Sequence, residues 1–422
     1  MRWGYADGPD APYTLNPSWA LAHAAEPAAA RALLQLNGVR CLTESTTKRL
    51  STRSVVALRI HAVDLCTVAI RRLIGDREMP VRNLSPRSAH VLETVARRAL
   101  YALGLHFGAV DVVVAATGRP FVRRVDPSPS CDDELARLYG VELARSLRTL
   151  AVDAAEPPRS RASRLLLGAD PEFVIVRRDN RTLRCASDLF PMDGSVGYDR
   201  QRTMLHGRHC HPIAEIRPSP SGSPYALVEH VRTELKKAYR LAPDRNADWL
   251  AGAHPAPGCF TGGHVHFSGI RPTTFLLRAL DNYLALPSLL MEDPGLARAR
   301  RRRYGLLGSF RRKEHGGFEY RTLSSWLTGV RRARSTLCLA KLVAVEYPRL
   351  RRHLLATPQA HRAFYHGKKE VFREAVEALW DDMRGTDSYQ EFSQDLEGTR
   401  IWILNRRQWR EGADLKRLWR VV

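Results

Sequence analysis

The sequence lacks the long apolar runs and the paired cysteines that mark several classes of protein. No uninterrupted apolar segment approaches the length that crosses a bilayer, and residues 1–7 contain no apolar signal-peptide segment. The seven cysteines are odd in number, scattered and without a Cys-x-x-Cys pair. We therefore expect a cytoplasmic protein with reduced thiols, rather than a membrane protein or one built on a disulfide framework.

Acidic residues are scarce relative to basic ones. The 422 residues include 66 Lys+Arg against 44 Asp+Glu, which gives a formal net charge of +22. The arginines are spread along the chain, with a dense cluster at Arg298–Arg303. Such a charge attracts polyanions, so weak binding to nucleic acid is expected. A general bias toward arginine explains the charge better than a specific nucleic-acid site does. The length fits two domains.

One short segment that the chain does contain, Thr261-Gly-Gly-His-Val-His-Phe267, alternates imidazoles with apolar side chains. In an extended strand, His264 and His266 face one side, and Val265 and Phe267 face the other. The two glycines before them let the backbone approach another group closely. Alone, the segment favours a half-buried strand with two hydrogen-bonded histidines over a ligand site.

Three further segments carry charged pairs at the two-residue spacing of one strand face. In the predicted strand 165–176, Asp170 and Glu172 flank Pro171, which cannot donate to a strand ladder and so indicates an edge or a bulge. Two adjacent carboxylates repel each other unless a cation or a proton lies between them. The other two pairs each join an acid to an arginine: Glu215 with Arg217, and Glu319 with Arg321.

Each segment alone has an ordinary explanation, such as a cross-strand ion pair or a solvated strand face. Together, strand-borne Asp-x-Glu, Glu-x-Arg, His-x-His and Glu-x-Arg segments are the inventory of a metal–nucleotide site. Carboxylates and imidazole suit a divalent cation such as Mg²⁺, and guanidinium groups suit phosphate oxygens. Arg303 and Arg311 either join such a site or remain solvated charges.

A second group of histidines is a weaker metal candidate. His209 and His211 flank Cys210, with His206 nearby, but no second ligand pair follows at a spacing suited to zinc. This pattern favours a surface loop.

The N-terminal part predicts an α/β domain. Its predicted elements are helices at 27–36 and 89–103, strands at 54–61 and 107–115, and a hairpin to 121–126. Asp111 lies on one of these strands, and Arg124 and Asp126 end the next. Residues 53–130 resemble the C-terminal portion of ATP-grasp ligases, where those three positions hold Asp, Glu and Asn and bind magnesium. A guanidinium reverses the charge that the metal needs, so we interpret residues 1–155 as a degenerate, non-catalytic ATP-grasp-like domain.

Beyond that domain, polarity and paired prolines predict a linker at 151–163. Periodicity predicts helices at 225–239 and 274–290, and a mostly helical chain from 331.

Four ordered segments carry a second family resemblance. They are Gly168-Ala-Asp-Pro-Glu-Phe173, Glu215-Ile-Arg-Pro-Ser-Pro220, Gly262-Gly-His-Val-His-Phe267 and the stretch from Tyr304 to Leu327. In order and form they resemble the amidoligases of the carboxylate–amine ligase type 2, within the glutamine synthetase-like superfamily. For residues 164–422 the resemblance implies an α+β fold with a curved antiparallel sheet flanked by helices and a helical C-terminal part. It also implies ATP and Mg²⁺ as cofactors.

The resemblance also implies roles for individual residues. The implied metal ligands are Asp170, Glu172, Glu215, His264 and Glu319. The implied contacts to nucleotide or substrate are His266, Arg217 and Arg303. Arg311 and Arg321 would steady the transferring phosphoryl group, with Glu319 also acting in catalysis. The first acidic pair is Asp-x-Glu rather than Glu-x-Glu, and the middle segment has one acid where glutamine synthetase has two, which leaves the number of metals open.

The sequence therefore leads to a hypothesis of an ATP- and Mg²⁺-dependent ligase that joins a carboxylate to an amine through an acyl phosphate. Its expected substrates are small molecules or peptides, with their identity and the oligomeric state left open. One alternative is a phosphotransferase on the same scaffold. Another is a basic nucleic-acid-binding protein, which the carboxylates beside His264 disfavour because a groove for phosphodiesters would not be lined with negative charge.

Overall fold

The computed structural model describes residues 2–3, 14–50, 55–81, 83–205 and 207–422. The chain divides into two compact units, one formed by residues 1–155 and 355–362 and the other by residues 156–354 and 363–422. No helix within the described ranges combines the length and the apolar character that a bilayer crossing requires.

The first unit is built on a five-stranded antiparallel sheet. Its strands, in chain order, are β3 (Val56–Val63), β4 (Cys66–Ile74), β5 (Arg77–Pro80), β6 (Phe107–Val114) and β7 (Pro120–Asp126), after a short parallel pair β1 (Arg2–Trp3) and β2 (Thr14–Leu15). The order across the sheet is β5-β4-β3-β6-β7. Its helices are α1 (Ser18–Ala25), α2 (Pro27–Leu36), α3 (Glu44–Leu50), α4 (Pro86–Leu103) and α5 (Asp133–Ala155).

Helix α4 shows why several sequence signals in this unit are reliable. Ser85 caps its start by accepting the N–H of Ser88 at 3.2 Å, and Pro86 occupies the first helical position. Gly104 ends the helix in the left-handed conformation, with φ +88°. The helices predicted at 27–36 and 89–103 are confirmed, as are the strands at 54–61 and 107–115, with small shifts at their ends: α4 begins three residues earlier, β3 ends two residues later and β6 ends one residue earlier. Ser54 lies outside the described residues.

Arginines surround the carboxylate that was matched to a magnesium ligand of ATP-grasp enzymes. The Nε and Nη2 groups of Arg59 donate to the two oxygens of Asp111 at 2.6 and 3.0 Å. Arg123 and Arg124 each approach the same buried carboxylate to 3.4 Å. These guanidinium groups occupy the positions around Asp111 that a cation would need. The ATP-grasp-like origin of the unit stays a prediction.

The stretch predicted as a linker, residues 151–163, is helical over most of its length. Helix α5 continues to Ala155, and α6 (Pro158–Arg164) begins almost at once. The alanines before the prolines favour the continuation of α5. Pro158 takes the first position of α6, where its missing N–H costs nothing. The paired prolines therefore separate two helices instead of marking an irregular connection.

The second unit contains two antiparallel sheets and a helical C-terminal part. The first sheet has the order β17-β18-β16-β8, with β8 (Leu166–Ala169), β16 (Val265–Ser268), β17 (Phe310–Arg312) and β18 (Phe318–Tyr320). The second comprises β9 (Glu172–Arg177), β10 (Leu183–Arg184), β11 (Val196–Tyr198), β14 (Ile213–Ile216) and β15 (Ala247–Leu250). A separate hairpin joins β12 (Thr203–Leu205) and β13 (Arg208–Cys210).

The predicted helices of this unit are confirmed, with one π-helical turn at Asp281–Ala285 inside the predicted helix 274–290. The helices from α7 onward are α7 (Pro224–Leu241), α8 (Thr274–Leu280), α9 (Leu286–Met291), α10 (Pro294–Arg301), α11 (Val330–Glu346), α12 (Pro358–His366), α13 (Glu370–Arg373), α14 (Val376–Arg384), α15 (Tyr389–Leu404) and α16 (Leu415–Leu418). Residues 358–362 of α12 belong to the first unit.

The single strand predicted over 165–176 is divided between the two sheets. Strand β8 ends at Ala169, and β9 begins at Glu172. Pro171 has no N–H to continue a ladder, so the chain leaves one sheet and enters the other at Asp170–Pro171. The antiparallel arrangement was predicted correctly, but its division in two was not.

The histidine-rich loop and the fully reduced thiols were predicted incorrectly. Strand β13 contains His209 and Cys210, and Cys210 forms a disulfide with Cys185, 25 residues earlier. The other five cysteines are free. Sequence spacing alone did not indicate that these two cysteines are neighbours, because Cys185 directly precedes a three-residue helical turn and Cys210 ends a three-residue strand, and elements this short give no periodicity. His206 lies outside the described residues.

Replacing Gly104 with alanine tests the ending of α4. An added Cβ would lie 2.1 Å from a carbon of the Trp19 ring, whereas at Gly75, which also has positive φ (+60°), it would meet nothing within 4 Å. We expect Gly75→Ala to lower the free energy of unfolding by about 1 kcal/mol through backbone strain alone. Gly104→Ala adds a steric clash and should cost about 2–4 kcal/mol. Urea unfolding of both variants gives the comparison, and equal losses would contradict the clash.

Candidate active site

Six ionisable side chains of the second unit converge where its two sheets meet. Strand register places Glu215 of β14 directly opposite Glu172 of β9, and His266 of β16 directly opposite Glu319 of β18. Asp170 lies at the crossing between the sheets, and His264 directly precedes β16. All six are buried except His266, which is half-buried. Residues from four distant parts of the chain thus meet in one place, and their roles stay a prediction.

The two imidazoles share one carboxylate. The Nδ1 atom of His264 lies 3.1 Å from Oδ1 of Asp170 and 3.2 Å from Oε1 of Glu319. The Nε2 atom of His266 lies 3.1 Å from the other oxygen of Asp170. One ligand atom each from Asp170, His266 and Glu319 lie within 4.8 Å of one another, which suits a single divalent cation. The sequence prediction gave the metal to His264 and the nucleotide to His266; this three-residue group contains His266.

The two glycines before the histidines leave no space for a side chain. A Cβ on Gly262 would lie 2.4 Å from Nε2 of His264, and one on Gly263 would lie 2.5 Å from Cδ1 of Trp326. The Gly262 N–H also donates to Oε2 of Glu172 at 2.7 Å. The predicted close approach of the backbone is confirmed, and it positions both an imidazole and a carboxylate.

The two glutamates on β9 and β14, Glu172 and Glu215, have too little positive charge around them to stabilise both as anions. Burial raises the pKa of Glu172 well above its usual range, and the charges of Asp199, Glu215 and Asp170 raise it further. Burial and Asp170 raise the pKa of Glu215 to about 8, although the charge of Arg217 opposes this. These carboxyl groups therefore hold protons near neutral pH, or a cation takes the place of the protons.

Asp199 is a residue that the sequence reasoning missed. It directly follows β11, the strand paired with β14, and its charge acts on both Glu172 and Glu215. Its Oδ1 accepts the N–H of Gln201 at 2.7 Å. The only sequence signal was an acid after Val196-Gly-Tyr, and a three-residue strand is too short to predict from periodicity.

Glu319 is surrounded by cationic side chains. Its carboxylate lies 2.9 Å from Nε of Arg321, 2.9 Å from Nζ of Lys313 and 3.6 Å from Nη1 of Arg311. Burial and Asp170 raise the pKa of Glu319, but His264, Lys313 and Arg321 outweigh them and leave it below its usual value.

Asp170 has a lowered pKa for a similar reason, because the two histidines outweigh its burial. Lys313 was missed in the sequence, although it lies two residues beyond Arg311 and therefore on the same side of the hairpin.

The two remaining arginines occupy different surroundings. The guanidinium of Arg217 contacts the Glu215 carboxylate and donates to the carbonyls of Gly194 at 2.9 Å and Met192 at 3.3 Å. The guanidinium carbon of Arg303 lies 5.7 Å from the centroid of the Phe260 ring. Within the described ranges, Arg303 forms no ion pair with the clustered carboxylates. The structure thus brings Arg217, Arg311 and Arg321 to the carboxylates and leaves Arg303 apart.

Comparisons with solved structures give partial overlaps. A bifunctional glutathione synthetase from Pasteurella multocida is 8% identical, with a TM-score of 0.36, over 62% of this chain and 49% of the other. The complex between the prokaryotic ubiquitin-like protein Pup and its ligase PafA is 14% identical, with a TM-score of 0.35, over 63% of each chain. A glutamine synthase homologue is 14% identical, with a TM-score of 0.28, over 69% of this chain and 78% of the other.

The chain thus spans less than two thirds of the first two structures, and all three TM-scores are below 0.5, so these overlaps do not establish a shared fold. No curated protein matches the sequence. The sequence model of one family, the phage phiEco32-like COOH·NH2 ligase-type 2 proteins, matches residues 167–421, which is more than half of the chain and includes all of the clustered residues. The chain therefore belongs to the phage phiEco32-like COOH·NH2 ligase-type 2 family.

Proposed function

We propose that this protein uses ATP and Mg²⁺ to join a carboxylate to an amine through an acyl phosphate, in the cluster where its two sheets meet. The observation that carries the proposal is the pairing of two opposite charge patterns in one place. Four buried carboxylates with two imidazoles suit a cation, and three cationic side chains around Glu319 suit phosphate oxygens. A glutamine synthetase-like curvature of the sheets is part of the same proposal.

The residues present fit a hard divalent cation. Most of the available ligand atoms are oxygens, and imidazole nitrogens add to them. Burial and neighbouring carboxylates raise the pKa values of Glu172 and Glu215, so a bound cation would stabilise their charged forms. The proposed ligands are Asp170, Glu172, Glu215, His264 or His266, and Glu319. When bound, Mg²⁺ neutralises negative charge on the triphosphate and makes the γ-phosphorus more electrophilic.

The chain's own residues position the reactants and balance their charge. Arg311 and Arg321 donate to oxygens of the transferring phosphoryl group, because their guanidinium groups already face the site at Glu319. Arg217, fixed by two carbonyls, holds Glu215 in place. A second contribution of the fold is burial, which keeps water from hydrolysing a reactive acyl phosphate.

In the proposed reaction, a carboxylate oxygen of the substrate attacks the γ-phosphorus and ADP leaves. The amine nitrogen then attacks the acyl carbon and an amide bond forms, while inorganic phosphate leaves with the carboxylate oxygen and takes up the proton that the amine loses. We further propose that residues 1–155 form a degenerate ATP-grasp-like domain outside this chemistry, and that residues 164–422 form the ligase domain.

A hydroxylamine-trapping screen tests the reaction class. Hydroxylamine converts acyl phosphates to hydroxamates, so candidate amino acids and peptides are incubated with ATP, Mg²⁺ and hydroxylamine, and hydroxamate and ADP are measured. Equal amounts of the two products support the ligase. A phosphorylated substrate without hydroxamate, detected by mass spectrometry, would instead indicate a phosphotransferase.

Glu319→Gln should lower Mg²⁺-dependent ADP release about 100-fold or more, since it removes a proposed metal ligand's charge at the reacting phosphate. Glu314→Gln is the matched control, because it makes the same chemical change at an exposed position of the same hairpin turn. It should retain activity within about twofold of wild type. Circular dichroism checks that both variants are folded. Comparable activity in the two variants would remove Glu319 from the site.

Raising the pH should destabilise the metal-free protein. Between the ordinary glutamate pKa of 4.5 and about 8, native Glu215 holds a proton that the unfolded chain has lost, so the free energy of unfolding falls as pH rises through this range. The decrease is about 1 kcal/mol per pH unit for each such group. Asp170 and Glu319 have lowered pKa values, so their charged forms stabilise the native state. That stabilisation is lost below this range, as the pH falls and the two carboxylates become protonated.

Urea unfolding in EDTA at pH 5 and pH 8 measures this effect. Glu215→Gln should flatten the pH dependence, whereas the same change at exposed Glu229 should not. Added Mg²⁺ should stabilise the wild-type protein more at pH 8 than at pH 5, because fewer protons compete with the cation at the higher pH. A variant with the wild-type slope would show that Glu215 does not titrate in this window.

A further inference from the structure

Lys313 links the edge of the candidate site to its most buried carboxylate. Its side chain is 27% exposed, yet its Nζ atom lies 2.9 Å from Oε2 of Glu319, which is 1% exposed. The Lys313 N–H donates to the Gly317 carbonyl at 2.9 Å, so the β17–β18 ladder continues past Arg312. Lys313 therefore faces the same side as Arg311, and its flexible stem carries a cation into the site.

The positive charge around Glu319 exceeds what its carboxylate can neutralise. Lys313, Arg321 and Arg311 all lie within 3.6 Å of it, and His264 Nδ1 lies 3.2 Å from its Oε1 atom. Glu319 offsets one of these three permanent cations, and the neighbouring Asp170 carboxylate contacts the two histidines instead. The remaining two charges favour a polyanion beside the carboxylates.

The same carboxylate belongs to the group that suits a metal. Glu319, Asp170 and His266 each offer a ligand atom to one position. A divalent cation there and the Lys313 ammonium repel each other and compete for the negative charge of Glu319. A lysine ammonium is a compact charge on a rotatable stem, so Lys313 can move away while the hairpin backbone stays in place.

We propose that Lys313 is an exchangeable counter-ion that passes from Glu319 to the terminal phosphate of ATP when a divalent cation binds. Without the cation, its ammonium neutralises the carboxylate. With the cation on Glu319, the ammonium contacts terminal phosphate oxygens beside Arg311 and Arg321. No covalent bond changes in this exchange of ion pairs. The inference rests on the proposed function and adds a residue that selects for the triphosphate.

Lys313→Met tests the two ion pairs of this exchange separately. Loss of the pair with Glu319 should raise the affinity for a divalent cation, and loss of the pair with phosphate should lower the affinity for the triphosphate. Without nucleotide, Mn²⁺ should bind about three- to tenfold more tightly, since its competitor for Glu319 is gone. With Mg²⁺, the non-hydrolysable ATP analogue AMP-PNP should bind about tenfold more weakly, and AMP should be unaffected. Isothermal titration calorimetry measures all three affinities. A purely structural role would not shift metal and triphosphate affinity in opposite directions.

Arg312→Met is the matched control. It removes one positive charge from the adjacent residue, which lies opposite Phe318 on the other face of the hairpin. Both affinities should stay within about twofold of wild type. Lys313→Arg keeps the charge and should keep AMP-PNP binding close to wild type. Circular dichroism and thermal unfolding check that every variant is folded.

The outcomes distinguish the two proposals. Weaker Mn²⁺ binding in Lys313→Met, or unchanged AMP-PNP binding, overturns the exchange while leaving the ligase proposal in place. Folded wild-type protein that binds no AMP-PNP with Mg²⁺ overturns the ligase proposal, and with it the phosphate half of the exchange. The Mn²⁺ titration still reports in that case whether Lys313 competes for Glu319.

Discussion

Mutual repulsion among buried carboxylates is the constraint on which the second unit depends. Asp170, Glu172, Glu215 and Glu319 are held close together and largely out of water, where like charges interact most strongly. Two of them, Asp170 and Glu319, are stabilised as anions by imidazole and cationic neighbours, whereas Glu172 and Glu215 are left to hold protons. A fold maintains such a concentration of acid only if other parts of the chain fix each group rigidly.

Backbone geometry provides that rigidity. Pro171 forces the crossing that removes Asp170 and Glu172 from a common strand, so Asp170 lies just after the end of β8 and Glu172 begins β9. The register between β9 and β14 then places Glu215 beside Glu172, and the register between β16 and β18 places His266 beside Glu319. The site is therefore specified by strand pairing, with side-chain contacts completing it.

The sequence predicted the side chains of the site better than their arrangement. Asp170, Glu172 and Glu319 stood out because two-residue spacing and local resemblance are visible in one dimension. Which oxygen of Asp170 each imidazole contacts depends on the orientation of the rings, and residue spacing does not specify that orientation. Asp199 was missed because it follows a three-residue strand, which is too short to predict from periodicity. Lys313 was missed although its two-residue spacing from Arg311 places it on the same side of the hairpin. Helix positions were predicted well from periodicity and from stop residues such as Gly104, although the start that Ser85 and Pro86 give to α4 was placed three residues too late.

The double glycine at 262 and 263 has a consequence for how this sequence can change. One acidic residue in the cluster can replace another if the protein accommodates the difference in side-chain length. At Gly262 and Gly263, by contrast, even the small side chain of serine has no room. The first displacement would fall on an imidazole and the second on an indole ring. Substitutions at these two glycines would therefore abolish the chemistry while most of the surrounding fold stayed intact, and the result would be a folded but inactive protein.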